Sequence, residues 1–535
     1  MRRAIAASLG KTIDLTQEQE SGVTDSRAVF GPAQRDTYDG NWEMVLSTKS
    51  TSQSSEPEPA SRKRDFGAPA FLRTGKGNHC LGALFTIYHE IPLLREMFLD
   101  RLNVLPSYGG SNEWWTGKPI ELSVHSEEED LYESETEFKH ELQRLMAFLD
   151  KTDRSYGSVD VLANTQVVRD LYRPPTKSLE SATLEVYRRI LRGNPEKYQK
   201  LFSRPFDGRE EDHGFAIFEL DFPSEESTDE TIYDLADAVM WPGGSPDLET
   251  ASYISHIAEV VSFQLTKWTI HKKTGVTFPA VWYPDRYLEP AREAAWQMRT
   301  KKPLIQTKLK QICDLESKLT GMRGQAGKTF TVREMFDAAL QHDVDQVEDD
   351  GAGELEESLF TPKTGNLSAQ LVKLLESIDR KVAMLNEEKE RCKAELRELS
   401  KLYTEPSEDP NQPSLHRYTL RGVCTDKNTM YICRQAEPSL IDIDIGDEES
   451  KLSHEQWWRI HYASLDPNPV SVEVRNGVVP SMKCMLTIKK TTEERVLEAA
   501  SFKSESGGPL VVYASDKAMQ WASTALPPAL EVCDS

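Results

Sequence analysis

What this sequence has little of narrows it first. Its seven cysteines (80, 313, 392, 424, 433, 484 and 533) are an odd, scattered set with no Cys-x-x-Cys pair. That excludes a disulfide scaffold and a structural zinc ribbon, and fits a reducing compartment. No stretch approaches the roughly 18 consecutive apolar residues of a membrane-spanning helix. The opening Met1-Arg2-Arg3-Ala4-Ile5-Ala6-Ala7-Ser8-Leu9 is too short an apolar run for a secretory leader, and Lys11, Asp14 and Glu18 follow it at once. Basic side chains are also scarce, 64 against 87 acidic ones for a formal charge of −23. Nucleic acid and anionic lipid surfaces would both repel such a chain. The expectation is a protein of the cytoplasm, the nucleus or both, with no nucleic-acid or membrane partner, no metal and no cofactor.

What is present divides along the chain. Residues 1–15 read as a short helix, and 16–67 as a disordered linker rich in Ser, Thr, Glu, Gln and Pro, too poor in apolar surface to offset its ordering entropy. Arg62-Lys63-Arg64 within it reads as solvated linker charge. From Leu81 to Leu99 an apolar helix is expected, broken at Pro92 and followed by a second short one. Phe138, Leu142, Leu145 and Leu149 recur at helical spacing and mark an amphipathic helix on a core. Runs at Phe215–Leu220, Val260–Leu265, Tyr418–Val423, Ser471–Val474 and Pro509–Tyr513 read as strands. Between them the character changes. Ile305, Leu309, Ile312 and Leu319, then Leu367, Leu371, Leu374, Ile378, Leu385, Cys392, Leu396 and Leu399, form heptad-like stripes among charges. The expected architecture is an α+β domain in two parts, 68–287 and 405–535, split by a helical hairpin over 288–404.

Gly77-Asn78-His79-Cys80, followed by an apolar helix and Pro92-Leu93-Leu94-Arg95-Glu96, resembles the cysteine box of ubiquitin-specific proteases (ubiquitin carboxyl-terminal hydrolases). The order of further segments adds to the resemblance. Phe138–Gln143 is similar to the helix after that box. Phe263-Gln264-Leu265, Phe278-Pro279 and Tyr283–Tyr287 follow the family's palm strands, and Tyr418–Val423 resembles the strand that opens its histidine box. The best match is the subgroup with N-terminal ubiquitin-interacting motifs and a helical insertion in the catalytic domain. Arg3–Leu9 resembles the centre of such a motif, with Ala4, Ser8 and Leu9 facing ubiquitin; the acidic run that precedes that core in the family is missing. The resemblance implies a papain-like cysteine peptidase fold interrupted by the hairpin, ubiquitin or ubiquitinated proteins as partners, and homo-oligomerisation through 288–404.

The chemistry the family needs is incomplete. A cysteine nucleophile requires a base that takes its proton, a group that orients that base, and donors for the oxyanion. Cys80 stands at the nucleophile position. The family's general-base histidine would follow the Tyr418–Val423 strand, yet no histidine occurs between His416 and His454. The family's Asn-Asp pair is replaced by His461-Tyr462, and its oxyanion-stabilising Asn by Gly75. His461, on a strand expected to face the cleft, is the candidate for a rearranged base. Three readings follow: a degenerate hydrolase that binds ubiquitin without efficient cleavage; an active thiol isopeptidase using Cys80; and an oligomerising helical scaffold without ubiquitin binding.

Overall fold

The computed structural model describes residues 62–73, 79–104, 130–174, 176–206, 214–221, 230–242, 248, 251–266, 276–323, 329–336, 338, 364–406, 414–435, 455–463, 485–501 and 508–531. All of these lie in one compact unit, Ser54–Ser535. The expected N-terminal helix over 1–15 and the Ser471–Val474 strand lie outside the described residues.

An eight-stranded mixed sheet organises this unit. Its strands are β3 (Ile217–Asp221), β4 (Val260–Thr266), β5 (Val281–Trp282), β6 (Tyr418–Asp426), β7 (Thr429–Gln435), β8 (Glu455–Ala463), β9 (Met485–Thr491) and β10 (Leu510–Ser515), numbered after a small parallel pair, β1 (Phe71–Arg73) and β2 (Tyr156–Ser158). The order across the sheet is β9-β8-β7-β6-β10-β4-β3, with β5 pairing β6 at Trp282 and Tyr418. Neighbours are antiparallel except β3 and β4. Strand residues alternate between faces, and each face has its own core. One side of the central strands carries Met430, Ile432, Ile460, Tyr462, Leu510 and Val512. The other carries Tyr431, Cys433, Trp457, Val511 and Tyr513.

Strand β6 does not keep a strict alternation. Leu420 pairs with Tyr513 and Gly422 with Val512, so Arg421 is an extra residue, a β-bulge. Tyr418 and Leu420 therefore share a core with Val423, while Cys424 belongs to the opposite one. The bulged Arg421 is buried and bonds Glu455 Oε1 at 2.6 Å.

Helix α1 (Leu81–His89) lies buried on the first face, with α2 (Pro92–Leu99) following it and Pro92 at the first turn, where its missing N–H costs nothing. Two glycines let α1 sit there. A Cβ on Gly82 would run into the Leu72 carbonyl, and one on Gly422 would lie 2.5 Å from Ile87 Cγ1. Helix α3 (Asp130–Lys151) covers α1 and α2 with the expected stripe of Phe138, Leu142, Leu145 and Leu149, all buried. The C-terminal end of α1 is tied by charge. His89 Nε2 meets Asp150 Oδ1 at 3.0 Å, and Arg434 of β7 donates to Glu90 Oε2 at 3.1 Å. The basic cluster expected to be solvated is instead built in at its first residue: Arg62 is buried and stacks 4.5 Å from the Tyr156 ring centre.

Two long helices, here α6 (Arg292–Thr320) and α7 (Thr364–Ser400), pair outside the sheet. Numbering allows for α4 (Leu179–Ile190) and α5 (Ile232–Met240) before them. Ile305, Ile312 and Cys392 form their seam with Leu309, Leu385, Leu396 and Leu399, and the Lys308–Glu388 and Lys389–Glu316 ion pairs cross it. Leu374, placed in the stripe by sequence, is exposed. The root is fixed by Arg286, which is 1% exposed. Its guanidinium donates to the Ser400 and Leu402 carbonyls, to Asp237 Oδ2 at 3.3 Å, and lies 4.6 Å over the Tyr233 ring. A cation there caps the otherwise unpaired carbonyls and negative dipole end of α7.

Two outcomes test this packing. Gly422→Val should destabilise the chain by about 1–3 kcal/mol through overpacking against Ile87, read from urea unfolding midpoints. His89 loses by burial but gains more from Asp150 and Glu90, so its folded proton affinity is raised. Its contribution is complete below the ordinary imidazole value of about 6.5 and disappears as pH climbs through the raised folded value. The stability advantage of wild type over His89→Gln should therefore shrink as pH rises above the ordinary imidazole value of about 6.5; a pH-independent difference contradicts the assignment.

Candidate functional site

Cys80 is the residue immediately before α1, half-buried, packed against the core that α1 shares with β6. Helix starts leave N–H groups without intrahelical partners. Here the protein fills them itself. The Cys80 N–H donates to Glu180 Oε1, and the Leu81 N–H points at His79 Nδ1 at 3.4 Å. Glu180 is 2% exposed, in the first turn of α4, where Ser178 caps the helix by accepting from the Ser181 N–H at 3.1 Å. A carboxylate at this spot satisfies two positive helix ends together, its own and that of α1.

Cys80 packs against the core that also holds Cys424. Burial pushes the Cys424 thiol well up, and its hydrogen bond with Cys80 and the nearby Asp426 charge act the same way. The Cys424 thiol also lies 3.2 Å from the Asp426 carbonyl oxygen. Beyond Asp426 the chain turns through Lys427-Asn428, where the Asn428 N–H donates to Asp426 Oδ1 at 2.8 Å, and enters β7 at Thr429. This tight hairpin occupies the place where the resemblance calls for a histidine loop.

Neither available histidine serves Cys80. Burial lowers the proton affinity of His79, with Glu180 and Asp160 opposing it, and its Nδ1 faces the helix backbone. His461 differs from expectation. It pairs in register with Thr429 and bonds Thr429 Oγ1 through Nδ1 at 2.9 Å. Its neighbours at odd positions, Trp457 and Tyr431, belong to the second core, whereas Ile460, Tyr462 and Cys424 belong to the first. The two-residue period of strands thus sets His461 on the face away from Cys80. Among the described residues, no histidine side chain bonds the Cys80 thiol. Ala4, Ser8, Leu9, Gly75, Gly77 and Asn78 lie outside the described residues. Among the described residues no group of three or more His, Cys, Asp and Glu is arranged to hold a metal ion.

Sequence reasoning missed Glu180 and Cys424. Glu180 had no local signal, since its role comes from packing α4 on α1. Cys424 was hidden by the bulge: strict alternation from Tyr418 and Leu420 puts it on the wrong face. The resulting arrangement holds a partly accessible thiol with no histidine bonded to it among the described residues, and a backbone donor that is already used.

Removing Glu180 tests that description. Glu180→Ala leaves the Cys80 N–H without its partner and should cost about 1–3 kcal/mol of stability, and Glu180→Gln, which keeps an acceptor oxygen, clearly less. Equal losses in denaturant melts would contradict the bond.

No protein-family model and no curated protein matches this chain. Two solved structures illustrate what it is similar to. The Saccharomyces cerevisiae PAN2 pseudoubiquitin-hydrolase is 8% identical, with 86% of this chain and 89% of that chain covered at a TM-score of 0.35. An essential yeast splicing factor is 8% identical, with 84% and 74% covered at a TM-score of 0.31. The chain itself is a mixed α and β protein built on a mixed sheet, and no described helix is long and apolar enough to cross a membrane.

Proposed function

We propose that this chain is a degenerate ubiquitin carboxyl-terminal hydrolase-like protein of the cytoplasm or nucleus, which binds ubiquitin or ubiquitinated proteins without efficient cleavage. The observation that carries the reading is the state of Cys80. It stands at the N-terminus of a buried helix, as the family resemblance of Gly77-Asn78-His79-Cys80 requires, but its N–H is taken by Glu180, and the candidate base His461 bonds Thr429 instead. A thiol protease loses nearly all rate without its base and its oxyanion donors. In this reading the fold is the papain-like peptidase frame of the family, and α6 with α7 is its helical insertion. Ala4, Ser8 and Leu9 supply a ubiquitin-facing helix.

The isopeptidase alternative assigns Cys80 as nucleophile and His461 as base, and the placement of His461 among the second-core residues weighs against it. A scaffold reading has one observation of its own. Leu304 and Met384, on α6 and α7, are 69% and 70% exposed, which leaves apolar surface on the pair for self-association.

Immobilised ubiquitin should retain the full chain, and deletion of residues 1–15 should weaken retention. Absence of retention, with self-association persisting on a sizing column, would replace the binding reading by the scaffold.

A further inference from the structure

The rim of the sheet carries a separate cluster of donors, on the face turned away from Cys80. Strand β9 ends the strand order among the described residues. On β8 the two-residue period places Arg459 and His461 on the side of Trp457, and register sets Lys489 opposite Arg459 and Thr487 opposite His461. Both β8 side chains are anchored from behind by β7. Arg459 donates through Nε to the Tyr431 hydroxyl at 3.2 Å, and His461 Nδ1 bonds Thr429 Oγ1 at 2.9 Å. The Arg459 Nη groups, His461 Nε2 and Lys489 Nζ have no partner among the described residues. Like charges directly opposite each other on a sheet repel. Yet among the described residues no carboxylate pairs with Arg459 or Lys489, in a chain whose formal charge is −23. A lysine on an edge strand serves to keep copies from pairing. That role does not call for an arginine and a histidine fixed beside it with their outer nitrogens unused.

We propose that this face of β8 and β9 binds an acidic segment of a partner protein, rich in Glu or Asp, in extended conformation along β9. Charge sets the chemistry: the unused Nη pair of Arg459 matches the two oxygens of a carboxylate, and Lys489 faces the same point. Spacing sets the conformation. The Arg459–Lys489 and His461–Thr487 rows are two residues apart, about 7 Å along a strand, which is the interval between same-face side chains of an extended peptide. Position sets the mode, because an edge strand presents backbone N–H and C=O groups to which a further strand can add. A first carboxylate between Arg459 and Lys489 relieves their repulsion. A second, two residues on, accepts from the Thr487 hydroxyl and from His461 Nε2. A nucleic acid or lipid surface is a poorer fit, since the patch holds two permanent cations and the whole chain repels a long polyanion. This inference stands on β8 and β9 and does not depend on ubiquitin binding.

The test uses the full chain and a fluorescein-labelled octapeptide of alternating Glu and Thr, followed by fluorescence anisotropy at low salt. The expected result is saturable binding that weakens as salt rises, and no binding of the same peptide with Gln at every Glu. Arg459→Gln and Lys489→Gln should each weaken binding by about threefold to tenfold. Lys517→Gln, which removes an exposed lysine elsewhere, should leave it unchanged. Lys489 is exposed, so Lys489→Gln keeps the fold and decides the case if Arg459→Gln, deprived of its Tyr431 bond, does not. Equal affinity for the Glu and Gln peptides, or equal affinity in wild type and Lys489→Gln, would overturn the proposal. So would absence of peptide binding, and if Lys489→Gln then abolishes self-association on a sizing column, the face seats a second copy instead. Displacement of the peptide by unlabelled ubiquitin would assign the face to ubiquitin and overturn the proposal as well.

Discussion

The close approach of α1 to β6 is the constraint on which the rest depends. Ile87 of α1 can approach the β6 backbone this closely only because no side chain stands between them, and Gly422 provides that gap. The bulge at Arg421 then decides which face the gap opens on, because one extra residue exchanges the sides of everything after it. Gly422 and Cys424 turn toward α1, and Arg421 turns toward Glu455. The same two residues that seat the helix therefore set what stands beside the Cys80 thiol.

Chemically, this constraint yields a quiet site. Helix N-termini are good places for anions and reactive thiols because of their unpaired N–H groups. At α1 that capacity is consumed by Glu180, a buried carboxylate brought in by α4. What is left is a half-buried thiol with no histidine bonded to it among the described residues, on the core that also holds Cys424, whose own thiol donates to the Asp426 carbonyl. The charged links at the other end of α1, through His89, Asp150, Glu90 and Arg434, tie the helix to α3 and β7. The helical pair is built on separate principles, with its own seam and with Arg286 donating to the Ser400 and Leu402 carbonyls where α7 ends.

Much of this was legible from periodicity. The broken helix at Pro92, the Phe138–Leu149 stripe and the strands at Val260, Tyr418 and Leu510 announce themselves through apolar spacing, which burial enforces directly. The near half of the helical seam was legible for the same reason, whereas Leu374 kept the spacing without acquiring a described partner. The candidate site was legible only at Cys80. A single bulged residue leaves no mark in composition, so Cys424 fell on the opposite face from a strictly alternating reading of β6, whereas His461 simply keeps the alternation of β8 on the side of Trp457. Glu180 depends on tertiary packing across a distance in sequence that no local pattern encodes.

The most direct measurement is hydrolysis of ubiquitin carrying a fluorogenic amide at its C-terminus, with the full chain freshly reduced and in large excess. The account predicts no release above the protein-free rate, in wild type and Cys80→Ala alike. Release that is present in wild type and abolished in Cys80→Ala would contradict it, since that thiol would then have a base.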